Sequence, residues 1–266
     1  MTSRVAPGLV IVGALGRMGR ALQEAALSAG IPVEGLVDRP ELAGTPSQVV
    51  GVPVSVSASW KDVAAAHRVA ILFSSAENTI EWLRSAKDHG MAIVSGTTGM
   101  GEAGEQALRE ASKHVPVVAA ANYSVGVNLL LELVETAARV LGSASYDAEI
   151  VEAHHKHKKD APSGTALMLA QALAKGREVS LPDVAVYGRE GMPGARPAGE
   201  IGIHAVRGGS VVGDHWVNFF GEGERIEIHH HAESRQTFAE GAVRSAAWVS
   251  GKPAGLYTMR NVLGFD

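Results

Sequence analysis

The chain has 266 residues, 46% hydrophobic and 20% charged, with a formal net charge of -4 and no cysteine. That is apolar mass enough for one or two cores. The acidic balance removes a bulk electrostatic case for nucleic acid or an anionic membrane surface. The missing cysteine removes disulfides, thiol nucleophiles and Cys-type zinc sites, in keeping with a reducing cytoplasm.

The opening stretch MTSRVAPGLVIVGALG holds a short apolar run broken by glycines. It lacks the length of a membrane span and the layout of a signal peptide, so a cytoplasmic protein without membrane contact is expected. Val10, Ile11 and Val12 form a short buried strand. From Arg17 onward, Met18, Leu22, Ala25, Ala26 and Ala29 recur at helical spacing until Gly30. VEGLVD is a second strand ending at Asp38, and RVAILFSS a third. TIEWLRSAKDHG is a helix closed by Gly90, MAIVSGTTG a fourth strand, EQALREASKH a helix and VPVVAAANYS a fifth strand. Strands alternating with helices imply a parallel sheet with right-handed crossovers.

The rhythm changes after about Val125. VNLLLELVETAARVLG is a long helix, YDAEIVEAHH alternates like a strand, and SGTALMLAQALAKG is another helix. GEIGIHAVRGGSVVGDHWVNFFGEGERIEIHHHAESR reads as strands joined by RGGS and GEGE turns, and TFAEGAVRSAAWVSG returns to helix. The expected fold is α/β. A Rossmann-like parallel-sheet dinucleotide-binding domain spans 1–124 with 236–266. A smaller α+β domain, with a mainly antiparallel sheet, spans 125–235.

Gly13, Gly16 and Gly19 space a turn between the first strand and its helix. Glycines there let the backbone approach a pyrophosphate seated on the helix N-terminus. Asp38 ends the second strand roughly 20 residues on, where an acid can accept hydrogen bonds from ribose hydroxyls. Arg39 beside it suits a 2′-phosphate, so the pair suggests tolerance of both NADH and NADPH. Gly96–Gly99 and Ala120–Tyr123 close the fourth and fifth strands, beyond whose carboxyl ends open parallel sheets bind ligands.

EAHHKHKKDAPSGTAL, Glu152 to Leu167, gathers three histidines and three lysines and then opens into a helix. The lysines would repel a metal, and no cysteine or evident carboxylate stands at ligand spacing. No aromatic residue is interleaved as in a nucleic-acid surface. Asp160, Pro162 and Ser163 are helix-start signals, and Ser163, Gly164 and Thr165 offer backbone N–H groups to an anion. Lys158 adds a full charge, a carboxylate is the natural guest, and a nearby histidine is the natural proton donor. If the strand runs through His155, then His154 and His155 face opposite sides unless the chain bends. His229, His230 and His231 are expected on a sheet surface or substrate rim, without a metal.

GALGRMG, GTTG, NYSVGVN, EAHHKHKKDAPSGTA, GDHWVNFFGEGERIEIHHHAESR and GLYTMRNVLGF together resemble the dihydrodipicolinate reductase family over nearly the whole chain. The resemblance implies reduction of 4-hydroxy-tetrahydrodipicolinate, via dihydrodipicolinate, to tetrahydrodipicolinate in the diaminopimelate route to lysine. It implies NADH or NADPH held by Gly13, Ala14, Leu15, Gly16, Arg17, Met18, Asp38, Arg39, Gly96, Thr97, Thr98, Ala120, Ala121, Asn122 and Tyr123. It implies His154 as proton donor/acceptor and Lys158 as proton donor, with His155, Gly164 and Thr165 binding the dicarboxylate. It also implies that 125–235 is the substrate-binding and oligomerisation domain, with a homotetramer built through its sheet. Leu72 stands where the family usually has an acid and Ala76 where it has a proline. Trp216 is bulkier than expected, and the run His229–His231 replaces Thr-His-Arg or Thr-His-Lys.

Two other classes share such a fold. A nucleotide-sensing regulatory protein has no need of proton carriers beside the helix start. A related amino-acid dehydrogenase is expected to lack the Ser-Gly-Thr cradle after two histidines.

Overall fold

A computed structural model describes residues 6–265. Residues 1–5 and 266 lie outside the described residues, and with them the first residues of the opening stretch and both extreme ends of the expected first domain. The chain divides into two compact units: the N-terminal part through Val125 together with Arg235 onward, and Gly126–Ser234.

The first unit runs β1 (Gly8–Val12), α1 (Arg17–Ser28), β2 (Val33–Val37), β3 (Val56–Ser57), β4 (Arg68–Leu72), α2 (Ala76–Arg84), α3 (Ala86–His89), β5 (Ala92–Ser95), α4 (Gly101–Ala111) and β6 (Pro116–Ala119). The second contributes α5 (Val125–Leu141), β7 (Asp147–His154), α6 (Gly164–Gly176), α7 (Leu181–Val184), β8 (Ala185–Tyr187), β9 (Ile201–Arg207), β10 (Gly213–Phe220) and β11 (Arg225–Ala232). The chain then returns to the first unit as α8 (Gln236–Val249), β12 (Gly255–Tyr257) and α9 (Met259–Leu263).

The first sheet is parallel throughout, in the order β12-β6-β5-β4-β1-β2-β3. All of β1 is buried, because helices cover both faces and each strand residue faces a core. Leu9 and Ile11 pack with Leu22 of α1 and Val243 of α8 on one side, and Val10 and Val12 with Trp82 and Ala107 on the other. Leu72, where an acid was expected, is fully buried in that second core. Ser75, just before Ala76, caps α2 by accepting the Asn78 N–H, so a helix start exists without the proline. Strand order reverses between β2 and β4 on either side of β1, which opens a crevice above the carboxyl ends of these strands.

The second sheet runs β11-β10-β7-β9-β8. Its β11-β10-β7 side is antiparallel, whereas β9 and β8 join in parallel. The GEGE segment is a hairpin turn between β10 and β11, but RGGS is not: β7 lies between β9 and β10. The loop after β9 instead wraps the end of β7. Gly208 N–H donates to the His154 carbonyl (2.9 Å), and His155 N–H donates to the Val211 carbonyl (2.8 Å). β7 alternates cleanly. Ala148, Ile150, Glu152 and His154 are buried beneath the face where α6 packs, and Asp147, Glu149, Val151 and Ala153 face the other way.

Candidate active site

In the first unit, Gly13 adopts φ of +80°, and a Cβ there would sit 2.3 Å from the Phe73 carbonyl oxygen. A Cβ on Gly19 would sit 2.2 Å from the Gly13 oxygen, so this glycine lets α1 press against the turn. Gly16 caps α1 without a side-chain hydrogen bond. The first-turn N–H groups therefore remain for a ligand phosphate.

Asp38 locks this turn. Its Oδ2 accepts the Leu15 N–H at 2.8 Å, and Oδ1 accepts the Arg39 N–H at 2.9 Å. Each carboxylate oxygen keeps a further lone pair for a ribose hydroxyl. The Arg39 guanidinium is exposed and pairs with Glu41 at 3.4 Å. A cleft of about 530 Å³ opens here, lined by Gly13, Asp38, Arg39, Trp60, Ser74 and Asn78. A second, of about 370 Å³, is lined by Thr97, Thr98, Met100, Ala120 and Ala121. A glycine turn without a side-chain cap, an acid at the second strand's end and clefts above the strand ends fit a dinucleotide.

Other expected contacts serve differently. Ala14 is fully buried, and Leu15 and Met18 pack on the core, leaving backbone rather than side chain to a ligand. Arg17 is exposed on the first turn. Gly96 makes room for the Phe73 ring, whose Cζ would lie 2.2 Å from a Cβ. The Asn122 side chain accepts the Ser124 N–H. Tyr123 points into the core. Its hydroxyl donates to the Ser95 and Val118 carbonyls at 2.9 and 3.0 Å, and burial pushes its pKa up. This side chain braces the ends of β5 and β6 from below instead of presenting itself to a ligand.

In the second unit, β7 ends at His154, so strand geometry governs His154 but not His155. His154 is 8% exposed, and its Nδ1 lies 2.6 Å from Oε2 of Glu152, itself fully buried. The Arg207 guanidinium, from the end of β9, spans both Glu152 oxygens at 2.8 and 2.7 Å. Glu152 Oε1 also accepts the Ser163 N–H at 2.9 Å. Burial alone would raise the Glu152 pKa; hydrogen bonds from Arg207, His154 and Ser163 outweigh it and hold the carboxyl ionised. Burial lowers the pKa of His154, against the pull of Glu152 and with the Lys158 charge adding to the decrease.

His215 on β10 meets the His154 ring edge-on at 5.3 Å, and its Nε2 lies 3.3 Å from Ser163 Oγ. Burial pushes its pKa down to about 3, so it is neutral near neutral pH. Lys158 pairs with Asp160 at 3.0 Å. Ser163 caps α6 through the Ala166 N–H. A Cβ on Gly164 would meet no atom within 4 Å, so that glycine serves no packing purpose and leaves the helix start open. Thr165 follows it, half-buried on the first turn. His155 is half-buried, with a buried Nδ1 lacking a hydrogen-bond partner, and stands 6.2 Å from the His157 ring.

Sequence reasoning missed Glu152, Arg207, Ser163's part in the network, and His215. The signal for Glu152 was present: an acid at an inward position of an alternating strand must find a cationic partner. His229 and His231 flank Trp216 on the sheet's outward face, at 6.2 and 5.4 Å between rings, and His231 pairs with Asp214 at 3.3 Å.

The family described as "Dihydrodipicolinate reductase, N-terminus" matches residues 8–123, and "Dihydrodipicolinate reductase, C-terminus" matches 126–263. This chain belongs to the dihydrodipicolinate reductase family. A 4-hydroxy-tetrahydrodipicolinate reductase of Acinetobacter baumannii strain ATCC 17978 is 48% identical, over 98% of this chain and 97% of its own length. The dipicolinate-bound dihydrodipicolinate reductase from Paenisporosarcina sp. TG-14 superimposes with a TM-score of 0.74 at 23% identity, covering 96% of this chain and 98% of that one. A probable dehydrogenase from Thermotoga maritima reaches 0.63 at 10% identity, covering 94% and 90%. Those two likenesses show the fold. The C-terminal family segment spans both the second unit and the stretch from Arg235 that returns to the first.

Proposed function

We propose that this chain reduces 4-hydroxy-tetrahydrodipicolinate, via dihydrodipicolinate, to tetrahydrodipicolinate, using NADH or NADPH, in the diaminopimelate route to lysine. Family membership supports the reaction. The observation that carries it into this chain is the proton carrier His154, buried at a strand end in one hydrogen-bonded network with the start of α6.

The nicotinamide supplies a hydride when bound. The first unit would hold it through the backbone from Gly13 to Met18, Asp38 and Arg39, with Thr97, Thr98, Ala120 and Ala121 lining the second cleft. In the second unit, the N–H groups at Gly164 and Thr165 and the His155 ring receive a substrate carboxylate, the helix dipole adding to the attraction. Hydride addition to a carbon conjugated with an imine leaves an electron-rich product that must take up a proton. Lys158 and His154 are the donors. Lys158 is held by Asp160, an ion pair that an incoming carboxylate would loosen. A cytoplasmic homotetramer joined through the second unit's sheet completes the proposal.

The test follows cofactor absorbance with substrate generated in situ, using NADH and NADPH in turn. Lys158→Ala and His154→Gln should each lower kcat by about 10²–10⁴-fold, with cofactor binding retained. Near-wild-type turnover in both would sink the assignment. Size-exclusion chromatography reads the oligomer.

A further inference from the structure

We propose that Glu152 is a positioning residue for the reaction, fixing which nitrogen of His154 carries the transferable proton and tying that ring to both anion-binding elements. The inference rests on the proposed role of His154.

An ionised carboxylate only accepts hydrogen bonds. The 2.6 Å contact with Glu152 Oε2 therefore requires the proton on His154 Nδ1. The neutral ring then has its lone pair on Nε2, which makes no hydrogen bond among the described residues, and protonation places the mobile proton there. Gly213 leaves room at that nitrogen: a Cβ would approach Nε2 to 3.1 Å. The same carboxylate accepts the Ser163 N–H at the start of α6 and both arms of Arg207. Arg207 in turn donates to the Asp160 carbonyl at 2.7 Å, in the loop that carries Lys158. One buried side chain thus sets the imidazole, the helix start and the lysine loop in a common frame.

The charged and titratable groups acting on the His154 ring come from four elements: Glu152 on β7, Lys158 in the following loop, Arg207 on β9 and His215 on β10. Glu152 is the only anion in that set. Without its charge the imidazolium loses its counter-ion while Lys158 and Arg207 still oppose protonation.

Glu152→Gln keeps the shape and removes the charge. Its kcat should fall about 10–100-fold, as for other groups that orient a functional histidine, with substrate KM changed less than about threefold. The alkaline limb of the kcat–pH profile should move to lower pH. In a His154→Gln background, adding Glu152→Gln should lower kcat by a clearly smaller factor than it does alone, because the part of its effect that runs through the ring is already lost. A full multiplicative loss in the double variant, or an unmoved pH limb, overturns the positioning role. Should Glu152→Gln not fold, 15N NMR of the unaltered protein decides: neutral His154 must be the Nδ1–H tautomer, and an Nε2–H tautomer refutes the inference. If His154→Gln itself turns over like the wild type, the proposed role of His154 fails instead.

Discussion

Two glutamates on β7, Glu149 and Glu152, face opposite sides of one sheet, and both are removed from bulk water. Glu149 accepts both arms of Arg189 at 3.0 Å, Arg196 Nε at 2.8 Å and His204 Nε2 at 2.7 Å. Burial alone would raise its pKa, but hydrogen bonds from Arg189, Arg196 and His204 win and hold it at about 2. Arg189 also bonds Glu200, and Arg196 bonds Asp147 and the Ala148 and Glu200 carbonyls. This network closes on itself and fastens the 189–200 segment to the sheet. Glu152 also takes an arginine and a histidine, yet its further bond runs to the start of α6, and its arginine reaches on to the Asp160 carbonyl in the lysine loop. The first network ends within the fold, whereas the second reaches the residues proposed for the chemistry.

Several changes would break or sharpen this contrast. Glu149→Gln should lose about 2–4 kcal/mol of stability, because Arg189 and Arg196 each lose one of two anionic partners and His204 loses its carboxylate. Its kcat should stay within about twofold of wild type; urea unfolding and steady-state turnover measure the two. A large loss of kcat in folded Glu149→Gln would erase the distinction.

Acid unfolding probes the same network without mutation. Glu149 has a folded pKa below its unfolded value, so its contribution is complete above the ordinary 4.5 and vanishes as pH falls to about 2. A depression of that size corresponds to roughly 3 kcal/mol. The fall in unfolding free energy between pH 4.5 and 2 should be visibly shallower in Glu149→Gln.

The first unit offers a control, since its expected ligand contacts are mainly backbone. Gly19→Ala forces a Cβ against the Gly13 oxygen, with a strain of about 1–3 kcal/mol. Cofactor KM should rise, while the pH profile attributed to His154 keeps its shape. The smallest effect is expected at the edge of the Glu152 network. Ser163→Ala removes the α6 cap at about 1 kcal/mol and should raise substrate KM several-fold, read from initial rates.

Much of the fold was legible because its signals are local. The glycine turn, the alternation of short apolar strands with helices and the change of rhythm near Val125 depend on neighbours in sequence. The His154–Thr165 stretch was legible too, since strand end, loop and helix start follow one another. RGGS misled because a glycine-rich turn between strands does not reveal that β7 separates them. The inward course of Tyr123 was not legible: its ring packs beside Phe73 at 5.8 Å, which leaves its backbone for the expected cofactor contact.

Sequence alone determined the periodicity that buries Glu152 and His154 on the same side of β7, and the helix start that follows them. It also supplied the residue types needed for an anion and a proton. Tertiary structure decided their partners. Arg207 reaches Glu152 because β9 pairs in parallel with β7, and His215 reaches His154 because β10 pairs on the other side. A buried charge demands a counter-charge, but only strand order selects which one, because hydrogen bonding between strands joins residues far apart along the chain.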